Sequence, residues 1–150
     1  MKRVLFVCHG NICRSPMAHH VFQQMVDEAG YHKEFYINSA ATHTDALGDS
    51  IYPPARRKLL SEGVKLLDHR ATLLTAKDYE DYDYIIAMDS RNVTNILRIC
   101  GGDPQGKVFR LMDITSRPAD VADPWYTGDF DATYEDVTLG CTALLEKLSK

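Results

Sequence analysis

The chain has no apolar run approaching the roughly 20 residues that cross a bilayer; stretches such as Val4-Leu5-Phe6-Val7 and Tyr84-Ile85-Ile86-Ala87-Met88 are far too short. Cysteine is scarce. The four thiols, Cys8, Cys13, Cys100 and Cys141, are too few and too unevenly placed for a secreted disulfide framework. Basic residues are scattered, with Arg56-Arg57-Lys58 the only compact cluster, and the formal charge is −4, which argues against an extended nucleic-acid footprint. Paired ligands at zinc spacing are missing, so no metal site is expected. His19 and His20 are adjacent, about 100° apart on a helix, a poor metal pair and expected to be solvated. Internal repeats and low-complexity tracts are also lacking.

What is present suits one domain over residues 1–150, with 45% hydrophobic and 25% charged residues, enough to bury a core without covalent staples. The opening Met1-Lys2-Arg3 places charge before an apolar run, but the run is brief and leads into a polar loop, so it reads as a first strand rather than an export signal. A cytoplasmic location follows as the expectation. Short β-branched runs at Lys2–Val7, Phe35–Ala40, Tyr84–Met88 and Val108–Leu111 alternate with amphipathic stretches at Pro16–Ala29, Pro54–Glu62, Asn92–Ile99 and Thr133–Leu148. That alternation predicts an α/β domain, a parallel sheet flanked by helices, with the first, third and fourth strands buried on both faces. Residues 42–52 and 115–131 lack periodicity and read as loops.

The first loop carries the chemistry. Cys8-His9-Gly10-Asn11-Ile12-Cys13-Arg14-Ser15-Pro16 sets a cysteine and an arginine, with five residues between them, between a strand and a helix start. Such a loop can curl its backbone N–H groups around a phosphate, joined by the positive end of the helix that follows. Gly10 and Asn11 tolerate the unusual backbone angles a tight anion nest requires. Convergent donors and a guanidinium favour the thiolate of Cys8, the nucleophilic form, and Ser15 can donate its hydroxyl to that sulfur. Arg14 offers a planar fork for two phosphate oxygens. His9, Gly10, Asn11, Ile12, Cys13, Arg14 and Ser15 therefore form the expected phosphate-binding set.

With these residues in view, the sequence resembles the low-molecular-weight protein tyrosine phosphatases. The resemblance rests on Val7-Cys8-His9-Gly10-Asn11-Ile12-Cys13-Arg14-Ser15-Pro16-Met17-Ala18, with Asn38-Ser39-Ala40-Ala41-Thr42, Asp68-His69-Arg70-Ala71, Tyr82-Asp83-Tyr84-Ile85, Met88-Asp89 and Asp123-Pro124-Trp125-Tyr126. It implies a four-stranded parallel sheet and hydrolysis of phosphotyrosine through a cysteinyl-phosphate intermediate. Asp123-Pro124 alone is only a turn signal; the resemblance makes Asp123 the proton donor to the leaving phenolate. It also implies that Trp125 and Tyr126 wall the pocket and that Ser39, His69, Asn11 and Ser15 buttress the loop. A reversible disulfide between Cys8 and Cys13 is implied as redox protection. Asp89, between a strand and a helix, is explained equally well as an N-cap and stays outside the catalytic set.

Departures bear on specificity. Where many relatives place an aromatic that closes the pocket, the counterpart is Asp45; His9 stands where leucine is frequent, and His19 where glutamate is. Two other readings compete. An arsenate reductase of the same fold would need further reactive cysteines, and Cys100 and Cys141 have no close cysteine partner. A non-catalytic phosphate-binding module would not need Cys8, Arg14 and Asp123 together. The expected partners are a phosphotyrosine protein or a small aryl phosphate, with inorganic phosphate as product. No cofactor, nucleic acid or membrane is expected, and the protein is expected to be a monomer with at most weak dimerisation.

Overall fold

The computed structural model describes residues 1–149. Strand β1 (Lys2–Cys8) leads into helix α1 (Arg14–Glu28), and β2 (Phe35–Ala41), α2 (Pro53–Ser61), α3 (Ala76–Asp81) and β3 (Tyr84–Ala87) follow. Helix α4 (Ser90–Cys100), β4 (Val108–Arg110), a 3-10 turn (Leu111–Ile114), α5 (Pro124–Thr127) and α6 (Phe130–Leu148) complete the order. The strands form one parallel sheet in the order β2-β1-β3-β4.

The pleat explains the two layers. Val4, Phe6, Cys8, Ile86 and Met88 point to the side covered by α1 and α6, where Met17, Phe22, Val137 and Leu144 are buried. The alternate residues Leu5, Val7, Ile85 and Ala87 face Tyr79 of α3 and Ile96 of α4 on the other side. Phe22 bridges the first layer, meeting Phe6 edge-on at 5.8 Å and Phe35 at 5.6 Å between ring centroids. Each such fully buried side chain contributes about 1.5–3 kcal/mol over leaving it in water. Helix α6 comes close to the 3-10 turn because Gly140 has no side chain: a Cβ there would lie 2.3 Å from Leu111 Cγ.

Three expectations change. The fourth strand is not buried on both faces; it is a half-exposed edge of three residues, because nothing pairs with it beyond β3. Helix α3 has no apolar periodicity to reveal it, but its start is marked by Thr75 and Asp78, whose carboxylate accepts the Thr75 N–H at 2.9 Å. Residues 115–131, read as a loop, contain α5, which starts at the Asp123 N-cap and stops at Gly128, φ 72°.

Candidate active site

Sheet order reverses direction between β1 and β3, and the crevice beyond the carboxyl ends of those strands is where doubly wound sheets bind ligands. Cys8 ends β1 there. Its sulfur, almost fully buried, lies 3.0 Å from Ser15 Oγ and accepts the backbone N–H groups of Asn11 at 3.3 Å and Ser15 at 3.4 Å. The loop curls back on the Cys8 sulfur because helix α1 begins at Arg14, so that Ser15 N–H belongs to the unsatisfied first turn.

Asn11 holds the curl. It is the one non-glycine residue with positive φ among those described, at 60°, and is fully buried. Its Nδ2 donates to Ser15 Oγ at 2.8 Å and Ser39 Oγ at 2.9 Å, its Oδ1 accepts the Thr72 N–H at 3.1 Å, and its carbonyl accepts His69 Nε2–H at 2.7 Å. Burial lowers the His69 pKa, the bond to Asn11 opposing it. Gly10, by contrast, is not in the left-handed region, and a Cβ there would make ordinary contacts. The unusual angle expected of both residues falls on Asn11 alone.

Arg14 is 2% exposed, and both of its terminal nitrogens are engaged. Its Nη1 donates to Asp89 Oδ2 at 2.6 Å and to the Val121 carbonyl at 3.0 Å, and its Nη2 to Asp123 Oδ2 at 3.4 Å. Burial by itself would lower the Arg14 pKa, but the Cys8 sulfur and the two carboxylates outweigh it and raise it. Asp123 caps α5, its Oδ1 accepting the Trp125 N–H at 3.1 Å. Asp89 does two jobs: Oδ1 accepts the Asn92 N–H at 2.7 Å as the cap of α4, while Oδ2 fixes the guanidinium. The N-cap expectation was thus half of its role.

Cys8, Arg14 and Asp123 line a cavity of about 260 Å³ together with His9, Gly10, Ile12, Cys13, Ala46 and Asp49. Trp125 and Tyr126 form part of its wall and are 55% and 83% exposed, so they are rim residues and not core. Tyr52 supports the indole, with ring centroids 4.8 Å apart. Asp45 lines the cavity and pairs with His9 Nε2 at 2.7 Å, and His9 stacks on His43 with ring centroids 3.9 Å apart. The His9 bond lowers the Asp45 pKa. Cys13 is buried beneath the loop, and its thiol is pushed up to about 12, first by burial and then by the Cys8 and Asp123 charges.

The family description "Low molecular weight phosphotyrosine protein phosphatase" matches residues 3–150. The chain belongs to that family. Among curated relatives, the low molecular weight protein-tyrosine-phosphatase YfkJ of Bacillus subtilis is 35% identical to this phosphatase, covering all of this chain and 97% of the relative. PtpA of Staphylococcus aureus is 34% identical, covering all of this chain and 96% of PtpA. The crystal structure of YfkJ superposes with a TM-score of 0.96 at 34% identity, over 99% of this chain and 95% of that one. A Drosophila arginine phosphatase, DARP, superposes at 0.91 with 28% identity, over 100% and 99%.

The remaining cysteines lie away from the cradle. Cys100 ends α4 and packs in the apolar layer on the other side of the sheet from Cys8. Cys141 is fully buried in α6 with its thiol directed to the Ala18 carbonyl, and burial raises its pKa. Neither is arranged to relay oxidation outward from the phosphatase loop. Sequence reasoning missed the Thr72 and Val121 backbone contacts, which carry no side-chain signature. It also misjudged the two helix histidines: His20 is buried, and burial takes the His19 pKa down to about 3.

Proposed function

We propose that residues 1–150 act as one phosphatase domain that hydrolyses phosphotyrosine monoesters, on proteins or small aryl phosphates, with Cys8 as nucleophile, Arg14 as phosphate clamp and Asp123 as proton donor. The observation that carries this reading is the convergence of the Asn11 and Ser15 amides and Ser15 Oγ on the Cys8 sulfur, beside a guanidinium that reaches Asp123. In the first half-reaction the Cys8 thiolate forms a bond to phosphorus as the phosphorus–phenolate bond breaks, and Asp123 gives its proton to the departing oxygen. In the second, a water oxygen attacks phosphorus, the sulfur leaves, and the Asp123 carboxylate takes the water proton. Loop amides and Arg14 hold the equatorial oxygens, whose charge redistributes in the transition state. Ser15 Oγ–H stabilises the sulfur as it leaves.

Trp125, Tyr126 and Asp45 form the substrate wall in this reading. The aromatic pair sandwiches a phenyl ring and leaves the shorter phosphoserine out of reach of a nucleophile at the cavity floor. Ser39 and His69 hold Asn11, and neither metal nor cofactor takes part. The protein works as a cytoplasmic monomer and releases inorganic phosphate. Peroxide converts Cys8 to its sulfenic acid, which condenses with the Cys13 thiol to a disulfide and water, and added thiol reverses it. Mass spectrometry that finds no such linkage after peroxide would dismiss this protection.

The test is a turnover panel of phosphotyrosine, phosphoserine, phosphothreonine and phosphoarginine peptides, with Cys8→Ser alongside. Phosphotyrosine is expected to be hydrolysed fastest, and Cys8→Ser to bind inorganic phosphate without turnover. Residual hydrolysis by Cys8→Ser near the native rate would defeat the nucleophile assignment. Preferred turnover of phosphoarginine would move the substrate class toward that of the arginine phosphatase neighbour.

A further inference from the structure

Two of the residues that brace Asn11, His69 and Thr72, come from the segment 64–72, which has almost no regular structure of its own. Its position is set by burial of Val64 and Ala71, by packing of the half-buried Leu66 against the core, and by individual hydrogen bonds. At its start the Lys65 N–H donates to Gln24 Oε1 at 3.1 Å, and at its end Thr72 and His69 grip Asn11. Between these, the Leu67 N–H donates to His20 Nε2 at 3.0 Å. His20 sits on α1, 1% exposed, and its other ring nitrogen, Nδ1, lies 2.7 Å from the Pro16 carbonyl. A carbonyl only accepts and an amide N–H only donates, so Nδ1 carries the proton and Nε2 is bare. The ring is neutral and in a single tautomer. A second proton, on Nε2, would face the Leu67 N–H, donor against donor.

We propose that His20 is a positioning residue for the phosphate cradle: its Nδ1-protonated ring holds Leu67, and through residues 67–72 it holds Asn11 in the left-handed conformation on which the Cys8 donors depend. This rests on the reading of the Cys8–Arg14 loop as the catalytic phosphate site. The path is short. Leu67 is two residues from His69, whose ring binds the Asn11 carbonyl, and Asn11 Nδ2 binds Ser15 Oγ, which meets the Cys8 sulfur. Asn11 needs such restraint, since asparagine tolerates the left-handed region better than other side chains but keeps it only where surrounding contacts favour it. The titratable groups facing His20 are the His19 ring at 5.5 Å and the His69 ring at 6.5 Å, with Asp68 acting on His69. Burial keeps His20 and His69 neutral further into acid than an exposed histidine.

The test compares native full chain, His20→Leu and His20→Gln. Three quantities are read: kcat and KM for p-nitrophenyl phosphate, the pH profile of Cys8 alkylation by iodoacetate, and the melting temperature. His20→Leu, which offers Leu67 no acceptor, is expected to lower kcat on the order of tenfold to a hundredfold and to move alkylation to higher pH. His20→Gln, whose amide oxygen can accept the Leu67 N–H, is expected to recover most of both. Native kcat and an unmoved alkylation profile in His20→Leu would overturn the proposal, as would equal impairment of the two variants at matched melting temperature. Should His20→Leu fail to fold, ring-nitrogen NMR of the native protein decides: a bare Nε2 supports the role, and a protonated Nε2 overturns it. A native enzyme that neither alkylates at Cys8 nor hydrolyses the ester would instead defeat the proposed function itself.

Discussion

Asp89 offers the sharpest separation of structure from chemistry in this site, because its two oxygens serve two partners. Oδ1 caps α4 through Asn92 N–H, and Oδ2 holds Arg14 at 2.6 Å with a side chain only 19% exposed. Asp89→Asn keeps one acceptor oxygen, and asparagine caps helices as well as aspartate does. It then turns an NH2 toward the guanidinium, donor against donor. The charged bond is worth about 1.5–3 kcal/mol, and the cap about 1 kcal/mol. Asp89→Asn is therefore expected to lose about 1.5–3 kcal/mol, and Asp89→Ala about 1 kcal/mol more, read from urea midpoints. Activity should not follow that order. Both variants free Arg14 from its fixed orientation, so both should lose on the order of tenfold to a hundredfold in kcat/KM for an aryl phosphate. If Asp89→Asn kept native kcat/KM while Asp89→Ala lost it, the capping bond and not the guanidinium contact would matter, and the reasoning would fail.

Asp123→Asn should slow esters of poor leaving groups, such as phenyl phosphate, more than p-nitrophenyl phosphate; equal losses would argue against proton donation. Gly140→Ala gains about 1 kcal/mol of helix propensity but drives a Cβ to 2.3 Å from Leu111 Cγ, for a net loss of about 1–2 kcal/mol, with Leu111→Ala in the same chain giving a smaller combined loss than the sum. Stability should also fall in acid: burial depresses the folded-state pKa of His19, to about 3, and of His20 and His69, so the unfolded chain takes up these protons first. The loss begins as pH drops below the unfolded value of about 6.5 and continues toward 3. Urea midpoints at successive pH values check this, and His19→Asn should flatten the slope.

The cradle was legible because its determinants are local: a strand, a loop of fixed length, a helix start and residue types suited to an anion nest. The sheet was legible for the same reason, since Val4 to Val7 and Tyr84 to Ala87 are unbroken apolar runs. Val108-Phe109-Arg110 has a similar look, yet order in the sheet makes it an edge, and order is not written in any one segment. Asp89 shows the same limit. Its capping role is visible from its neighbours, whereas its hold on Arg14 joins residues 75 apart in the chain. His20 looks like a solvent-facing polar residue until the 64–72 segment is laid over it, which no periodicity in α1 announces.

Trp125 is the chain's single tryptophan, and it stands at the mouth of the cavity. Excitation at wavelengths too long for the eight tyrosines to absorb therefore lights one spot. Changes in emission colour or quenching report occupancy of that mouth directly, so oxyanions and aryl phosphates can be titrated without any attached dye.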